Sequence, residues 1–185
     1  MMTRIRGLIG AAVVAMAATA AAAEAQVAVE VRGGLNVPTF DITDAAKAGA
    51  GFGGSLLFKA TDRVWLMGEA DFGMHPGADL PAGGSGADVD VSHFMAKLGY
   101  QLGNGGGKWT VVLNAGAGAM RFAIDGGPSF TYPAINVGAK LSYALSNKAS
   151  FVISPQGDIA FTKEAELGTT NAWVWPFTAG FRLSF

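Results

Sequence analysis

The chain has 185 residues, half of them apolar and only 15% charged, with a formal charge of −1 and no cysteine. That charge content is well below the roughly 25% of an ordinary soluble domain, and without cysteine neither disulfide nor thiolate chemistry is open to it. No basic patch points to nucleic acid, and the 27 glycines keep no G-X-Y period, which excludes a collagen-like chain.

Arg4 and Arg6 supply a positive start, Leu8 to Ala22 an apolar run, and Ala23-Glu24-Ala25 a small-residue end. This is the pattern of a secretory signal peptide, expected to be cut after Ala25, so that 1–25 is a leader and 26–185 a single domain. The run is Ala-rich and shorter than the roughly 20 residues with which a helix spans a bilayer. Removing Arg4, Arg6 and Glu24 leaves 11 of the 13 basic and 13 of the 14 acidic side chains, a formal charge of −2. No strongly charged partner is implied.

From Val27 onward the dominant apolar period is two, the mark of strands. Eight segments are predicted: Val27 to Val37, Gly51 to Lys59, Val64 to Met74, Ser92 to Leu102, Trp109 to Arg121, Ile135 to Leu145, Ala149 to Phe161 and Trp173 to Phe185. Successive strand side chains point to opposite faces, so each segment has an apolar and a polar side. The first places Glu30 and Arg32 on its polar side and the second Lys59. In the third, the carboxylates Glu69 and Asp71 set the polar side, with Trp65 and Met67 beside them. In the fourth, Phe94, Ala96, Leu98 and Tyr100 oppose His93, Met95, Lys97 and Gln101. The fifth carries Arg121, the one charge on an apolar side, near a strand end. In the sixth, Ile135, Val137, Ala139, Leu141 and Tyr143 oppose Asn136, Gly138, Lys140 and Ser142. The seventh has Asp158 on its polar side and Pro155 in its run, where a bulge near Gly157 is expected. The eighth sets Trp173, Trp175, Phe177, Ala179, Phe181, Leu183 and Phe185 against Pro176, Thr178, Gly180, Arg182 and Ser184.

The connections alternate. Ala60 to Arg63, Gly103 to Lys108 and Ser146 to Lys148 are short turns, whereas Pro38 to Ala50, His75 to Val91, Phe122 to Ala134 and Thr162 to Ala172 are longer and rich in Gly, Asp and Pro. Such a pattern predicts an all-β, antiparallel up-and-down meander that closes into a barrel. A soluble lipocalin-like barrel would turn its apolar face inward to hold a lipophilic ligand; an outer-membrane barrel turns it outward. The polar sides are mostly Gly, Ser, Asn, Thr and Ala with a few charges of both signs, which suits a narrow lumen. Aromatic residues cluster at both strand ends, with Phe58, Tyr100, Trp109, Tyr143, Phe151 and Phe185 beside the turns and Phe52, Phe72, Phe94, Phe161, Trp173 and Trp175 beside the longer loops. Two such girdles fit the two interfaces of a membrane, so a transmembrane β-barrel is expected.

With these features the chain resembles the small OmpA/OmpX-type outer-membrane barrels of Gram-negative bacteria over Val27 to Phe185. Its ending, with Thr178, Gly180, Leu183 and a terminal aromatic Phe185, is similar to the signal by which the outer-membrane assembly machinery recognises its clients. The resemblance implies an outer-membrane location, both termini in the periplasm, the longer loops at the cell surface, and contacts with periplasmic chaperones, membrane lipid and lipopolysaccharide. No peptidoglycan-binding domain is expected after the eighth strand.

The expected lumen holds the basic Arg32, Lys59, Lys97, Lys140 and Arg182 against the acidic Glu30, Glu69, Asp71 and Asp158. Near balance suggests an ion-paired filling that fixes register, with a small low-conductance channel as the alternative. No catalytic, cofactor or metal residues are expected. Asp90, Ser92 and His93 lie close in sequence, but neighbours on a strand face opposite ways and cannot form a nucleophile and base. Asp79, Asp88 and Asp90 lack a calcium loop's ligand spacing. Acid in the longer loops, from Asp41 and Asp44 to Glu164 and Glu166, suits divalent cations among lipopolysaccharide. A structural or surface-binding envelope protein without enzymatic activity is the functional expectation.

Overall fold

A computed structural model of the chain describes residues 26–81, 83–103 and 107–185; the expected leader, 1–25, lies outside them. The period-two segments form eight strands: β1 (Val27–Thr39), β2 (Gly49–Lys59), β3 (Val64–His75), β4 (Val89–Leu102), β5 (Trp109–Ile124), β6 (Ser129–Ala144), β7 (Ala149–Phe161) and β8 (Asn171–Ser184). Each pairs antiparallel with its sequence neighbours, and β1 closes on β8. Closure leaves no strand edge unpaired. The closing seam runs to the last residue, whose N–H donates to the Val27 carbonyl at 2.9 Å.

The pairings wind as they go round. From Ala28 they pass through Leu57, Met67, Lys97, Gly116, Asn136, Asp158 and Val174 to Pro38, ten residues further along β1. This stagger tilts the strands and fixes the barrel's width, leaving an interior that side chains fill.

The strands run further toward the long loops than periodicity predicts. Most affected is the connection expected over Phe122 to Ala134: both its ends belong to strands, and only residues 125–128 turn. Gly126, at φ 67°, supplies the left-handed residue this turn needs. The other loops carry a 3₁₀ turn (Phe40–Asp44) and a short helix, α1 (Glu164–Leu167). The first two loops are tied together, with the Lys47 N–H donating to the Pro76 carbonyl at 2.8 Å and that of Ala78 to the Ala45 carbonyl at 3.1 Å.

The bulge expected near Pro155 is not formed. Ser154 opposes Thr178 and Asp158 opposes Val174 in one unbroken register, so no extra residue is inserted. Proline removes a donor without lengthening its strand, and here the ladder simply skips the pairs beside it. Gly157 instead makes room for an aromatic ring, since a Cβ there would lie 2.8 Å from the Trp175 ring.

The apolar sides face outward along most of the barrel, as in Val31, 70% exposed, while Lys140 at 0% lies wholly inside. This placement is the reverse of a lipocalin-like ligand barrel. On β4, β5 and β6 the rule inverts near the long loops: there the outward residues are Asp90, Ser92, Arg121, Ser129 and Thr131, and the inward ones are Val91, Met120, Phe122 and Tyr132, joined by Val174 of β8. Ile42 and Ala46 of the first loop join this inner cluster. A second apolar layer, of Leu57, Trp65, Met67 and Val112, crosses the lumen near the short turns. The lumen is therefore not polar throughout, as alternation predicts, but layered.

Candidate functional site

Between the two apolar layers lies a buried charge network. Strand alternation brings Glu30 and Arg32 inward from β1, Ser55 from β2, Glu69 and Asp71 from β3, Lys97 from β4, Lys140 from β6 and Arg182 from β8. Closure joins them across the lumen, although Glu30 and Arg182 stand 152 positions apart in sequence.

Glu30 accepts from Arg182 Nη2 at 2.6 Å and Nε at 2.8 Å, and from Lys140 Nζ at 2.7 Å. Glu69 is the hub. It pairs with Lys97, with Lys140 at 2.8 Å and with Arg32 at 2.8 Å, and it accepts from the Ser55 hydroxyl at 2.8 Å. Arg32 also reaches Asp71 at 3.3 Å and donates to Ser154 Oγ at 2.7 Å. Asp158 stands at the edge, held by His93 Nδ1 at 2.7 Å and Asn136 Nδ2 at 2.5 Å. Lys97 carries the network from Glu69 to β7, its Nζ donating to Gln156 Oε1 at 3.3 Å, and Gln156 Nε2 donates to Ser154 Oγ at 2.7 Å. Four carboxylates thus face Arg32, Lys97, Lys140 and Arg182. In a low-dielectric interior each ion is tolerable only because its counter-ions and hydrogen bonds are in place.

Lys59, expected in this network, lies apart from it. It is half-buried near the turns, with Nζ 5.9 Å from the centre of the Trp65 ring. Conversely, Ser55, His93, Ser154 and Gln156 take part without having been singled out for it. Their signal was present, because Ser154 and Gln156 share the strand parity of Asp158 and His93 that of Lys97.

The network has the chemistry of a brace. Its acids and bases neutralise one another, and Asp90 and Ser92 face outward while His93 faces in, so those three do not meet. Asp79 is engaged by Lys47 at 2.6 Å, and Asp88 accepts from the Gly77 N–H at 3.0 Å. Near the long loops, the Tyr132 hydroxyl donates to Glu166 Oε2 at 2.6 Å and Lys163 Nζ approaches Oε1 at 3.1 Å. These contacts, the Tyr132 bond foremost, hold the Glu166 carboxyl below its usual range and pin α1 to the barrel rim.

Thr178, Gly180, Leu183 and Phe185, the residues of the expected assembly signal, divide between the faces. Thr178 is buried inward, where its hydroxyl donates to the Ser154 carbonyl at 3.4 Å. Gly180 also faces in, pressed on the first strand so closely that a Cβ would lie 2.0 Å from the Val31 carbonyl oxygen. Leu183 and Phe185 project outward and are exposed.

Residues 8–185 match a family model described as the outer membrane protein beta-barrel domain. Among solved structures, Neisserial surface protein A is similar with a TM-score of 0.62 at 16% identity, over 88% of this chain and 98% of that one. The N-terminal β-barrel domain of Pseudomonas aeruginosa OprF is similar at 0.55 and 18%, over 86% and 97%. A major outer membrane protein from Thermus thermophilus reaches 0.64 at 14%, over 88% and 100%. At these identities the likeness is one of fold. No curated protein matches the chain in sequence.

Proposed function

The chain belongs to the outer membrane protein β-barrel domain family, and from that premise we propose that it is a non-enzymatic, non-conducting barrel that reinforces the outer membrane and presents its longer loops at the cell surface. Residues 1–25 act as a leader removed on export. Both termini then face the periplasm, and Thr178, Gly180, Leu183 and Phe185 serve as the segment read by the assembly machinery while the strand is still unpaired. Periplasmic chaperones carry the chain to that machinery, and lipid and lipopolysaccharide surround it afterwards.

One observation carries the non-conducting role: the lumen is filled in layers by Phe122 and Met120 near the loops, by the Glu69 hub in the middle and by Trp65 near the turns. A conducting barrel needs a continuous wet path, which eight strands rarely enclose. Planar-bilayer recordings of the purified protein are expected to show no stable openings. Stable openings abolished by Arg182→Ala would overturn this reading in favour of a channel. Location and processing have their own check. The protein in purified outer membranes should lack residues 1–25 and shift in gel mobility only after boiling, because a closed barrel satisfies every backbone group internally.

A further inference from the structure

Phe40 breaks the alternation of β1. Asn36 and Pro38, of the same parity, are buried inward, so continued alternation would turn the Phe40 ring into the lumen. Instead its backbone is left-handed, at φ 59°, and the ring stands 67% exposed in an edge-on contact 5.5 Å from the centre of the Trp173 ring. A left-handed conformation crowds the Cβ of any residue but glycine, and such strain persists only where the surroundings enforce it. At that exposure the ring recovers little of the cost from the protein.

Beside Phe40 the outer wall stays apolar up to the loops, unlike that of β4, β5 and β6. Leu35, Phe177 and Phe161 are exposed on the neighbouring strands β1, β8 and β7. Trp173 stacks with Trp175, whose indole N–H donates to the Thr39 hydroxyl at 3.1 Å. The other side of the same segment reaches into the mouth. Ile42, two residues on, is 7% exposed in the inner cluster with Met120, Phe122 and Val174. Thr43 Oγ1 donates to the Phe40 carbonyl at 2.7 Å, and the Ala45 and Ala46 N–H groups donate to that of Ile42 at 3.1 and 3.0 Å. Residues 40–46 thus form one strap, tied onward to the second loop through Lys47 and Ala78. Its strained first residue sets an aromatic ring outside the wall and an aliphatic plug inside it, two positions apart.

We propose that the surrounding lipid holds the outer mouth closed through Phe40. The ring enters the boundary between headgroups and acyl chains, where aromatic side chains are favoured, and its burial there offsets the left-handed backbone. Its seat against Trp173 in turn keeps Ile42 in the lumen. The occupant is lipid because the ring continues the apolar wall that lipid covers. Outside a bilayer the strap is loose, and membrane insertion seats it. This inference rests on the membrane-spanning reading of the barrel, and not on which leaflet meets the loops.

The test uses the full barrel in lipid nanodiscs and follows amide hydrogen exchange of Ala45, Ala46, Lys47 and Ala78 by NMR, with Leu113 and Val137 of the barrel wall as internal references. Phe40→Asn keeps a residue that tolerates the left-handed region and removes the ring. The four loop amides should then exchange at least about tenfold faster, as loss of much of an aromatic ring's burial implies, while the references are unchanged. Phe40→Trp should retain the protection. Unchanged exchange in Phe40→Asn, or exchange as fast in Phe40→Trp, overturns the strap. A second arm asks what the ring meets. The chain has no cysteine, so Phe40→Cys and Asp44→Cys each carry a single nitroxide label. The label at position 40 should relax with oxygen dissolved in lipid, and that at 44 with a water-soluble nickel complex. Equal access of nickel to both labels would mean that the ring acts through Trp173 alone, and overturns the role of lipid. Either failure with the heat-dependent gel mobility intact leaves the barrel reading standing; loss of that mobility refutes the barrel reading itself.

Discussion

At the middle of the barrel the strands put charges inside and apolar side chains outside, whereas nearer the long loops β4, β5 and β6 do the opposite. On β5, Asn114 is inward and Leu113 outward, but Met120 and Phe122 are inward and Arg121 outward. The backbone is equally regular in both regions, so the difference comes from what surrounds it. Hydrocarbon demands an apolar exterior, and the interior then carries the polar groups that fix register. Past the hydrocarbon, water surrounds the wall, and the strands revert to the ordinary arrangement of an apolar core under a polar surface. Arg121 marks this crossover.

The largest expected loss comes from breaking the charged middle. Glu69→Ala leaves Lys97, Lys140 and Arg32 without their shared carboxylate, and removing one partner of a buried pair costs about 3–5 kcal/mol, measurable by urea unfolding in lipid vesicles. Breaking the apolar end comes next: Phe122→Ala should cost about 3 kcal/mol, the low end of the range for such truncations, because a lumen near its mouth can admit water. The outer wall gives a sharper contrast. Val31→Lys, set in lipid, should cost about 2 kcal/mol or more, while Thr131→Lys, beyond it, should change stability by no more than about 0.5 kcal/mol. Equal costs at the two positions would mean that the crossover does not mark the lipid boundary.

The smallest effect concerns the α1 latch. The Glu166 carboxyl is held below its ordinary range, chiefly by the Tyr132 hydroxyl and then by Lys163. Its contribution is therefore complete above the ordinary carboxylate value and lost as pH falls through the lowered one. Protease cleavage within residues 162–170 should accelerate only under strongly acidic conditions in the native protein. Tyr132→Phe should bring that faster cleavage to neutral pH.

The crossover also explains which parts of the molecule the sequence could reveal. Where lipid imposes one polarity, alternation was decisive, and Glu69 and Asp71 set the frame of β3 even though Trp65 and Met67 lie on the same side. Across Phe122 to Ala134 the code reverses within a few residues. Arg121, Ser129 and Thr131 then resemble loop residues, and Gly126, Gly127 and Pro128 reinforce that impression. Lys59 was placed in the network by parity alone, which assigns a face but not a depth. The same limit hid the part played by Ser55, because alternation cannot show which inward residues stand at one level once the strands are staggered by ten residues.

The meeting of Glu30 with Lys140 and Arg182 bears on how the chain is built. These partners come from the first, sixth and last strands, so a sheet with only its early strands in place leaves Glu30 with Arg32 of its own strand, 3.6 Å away, as its only cation of the network. The last of these pairs, Glu30 with Arg182, forms only when the eighth strand closes on the first. The brace thus also registers closure, since its Glu30–Arg182 pair exists only in the completed barrel.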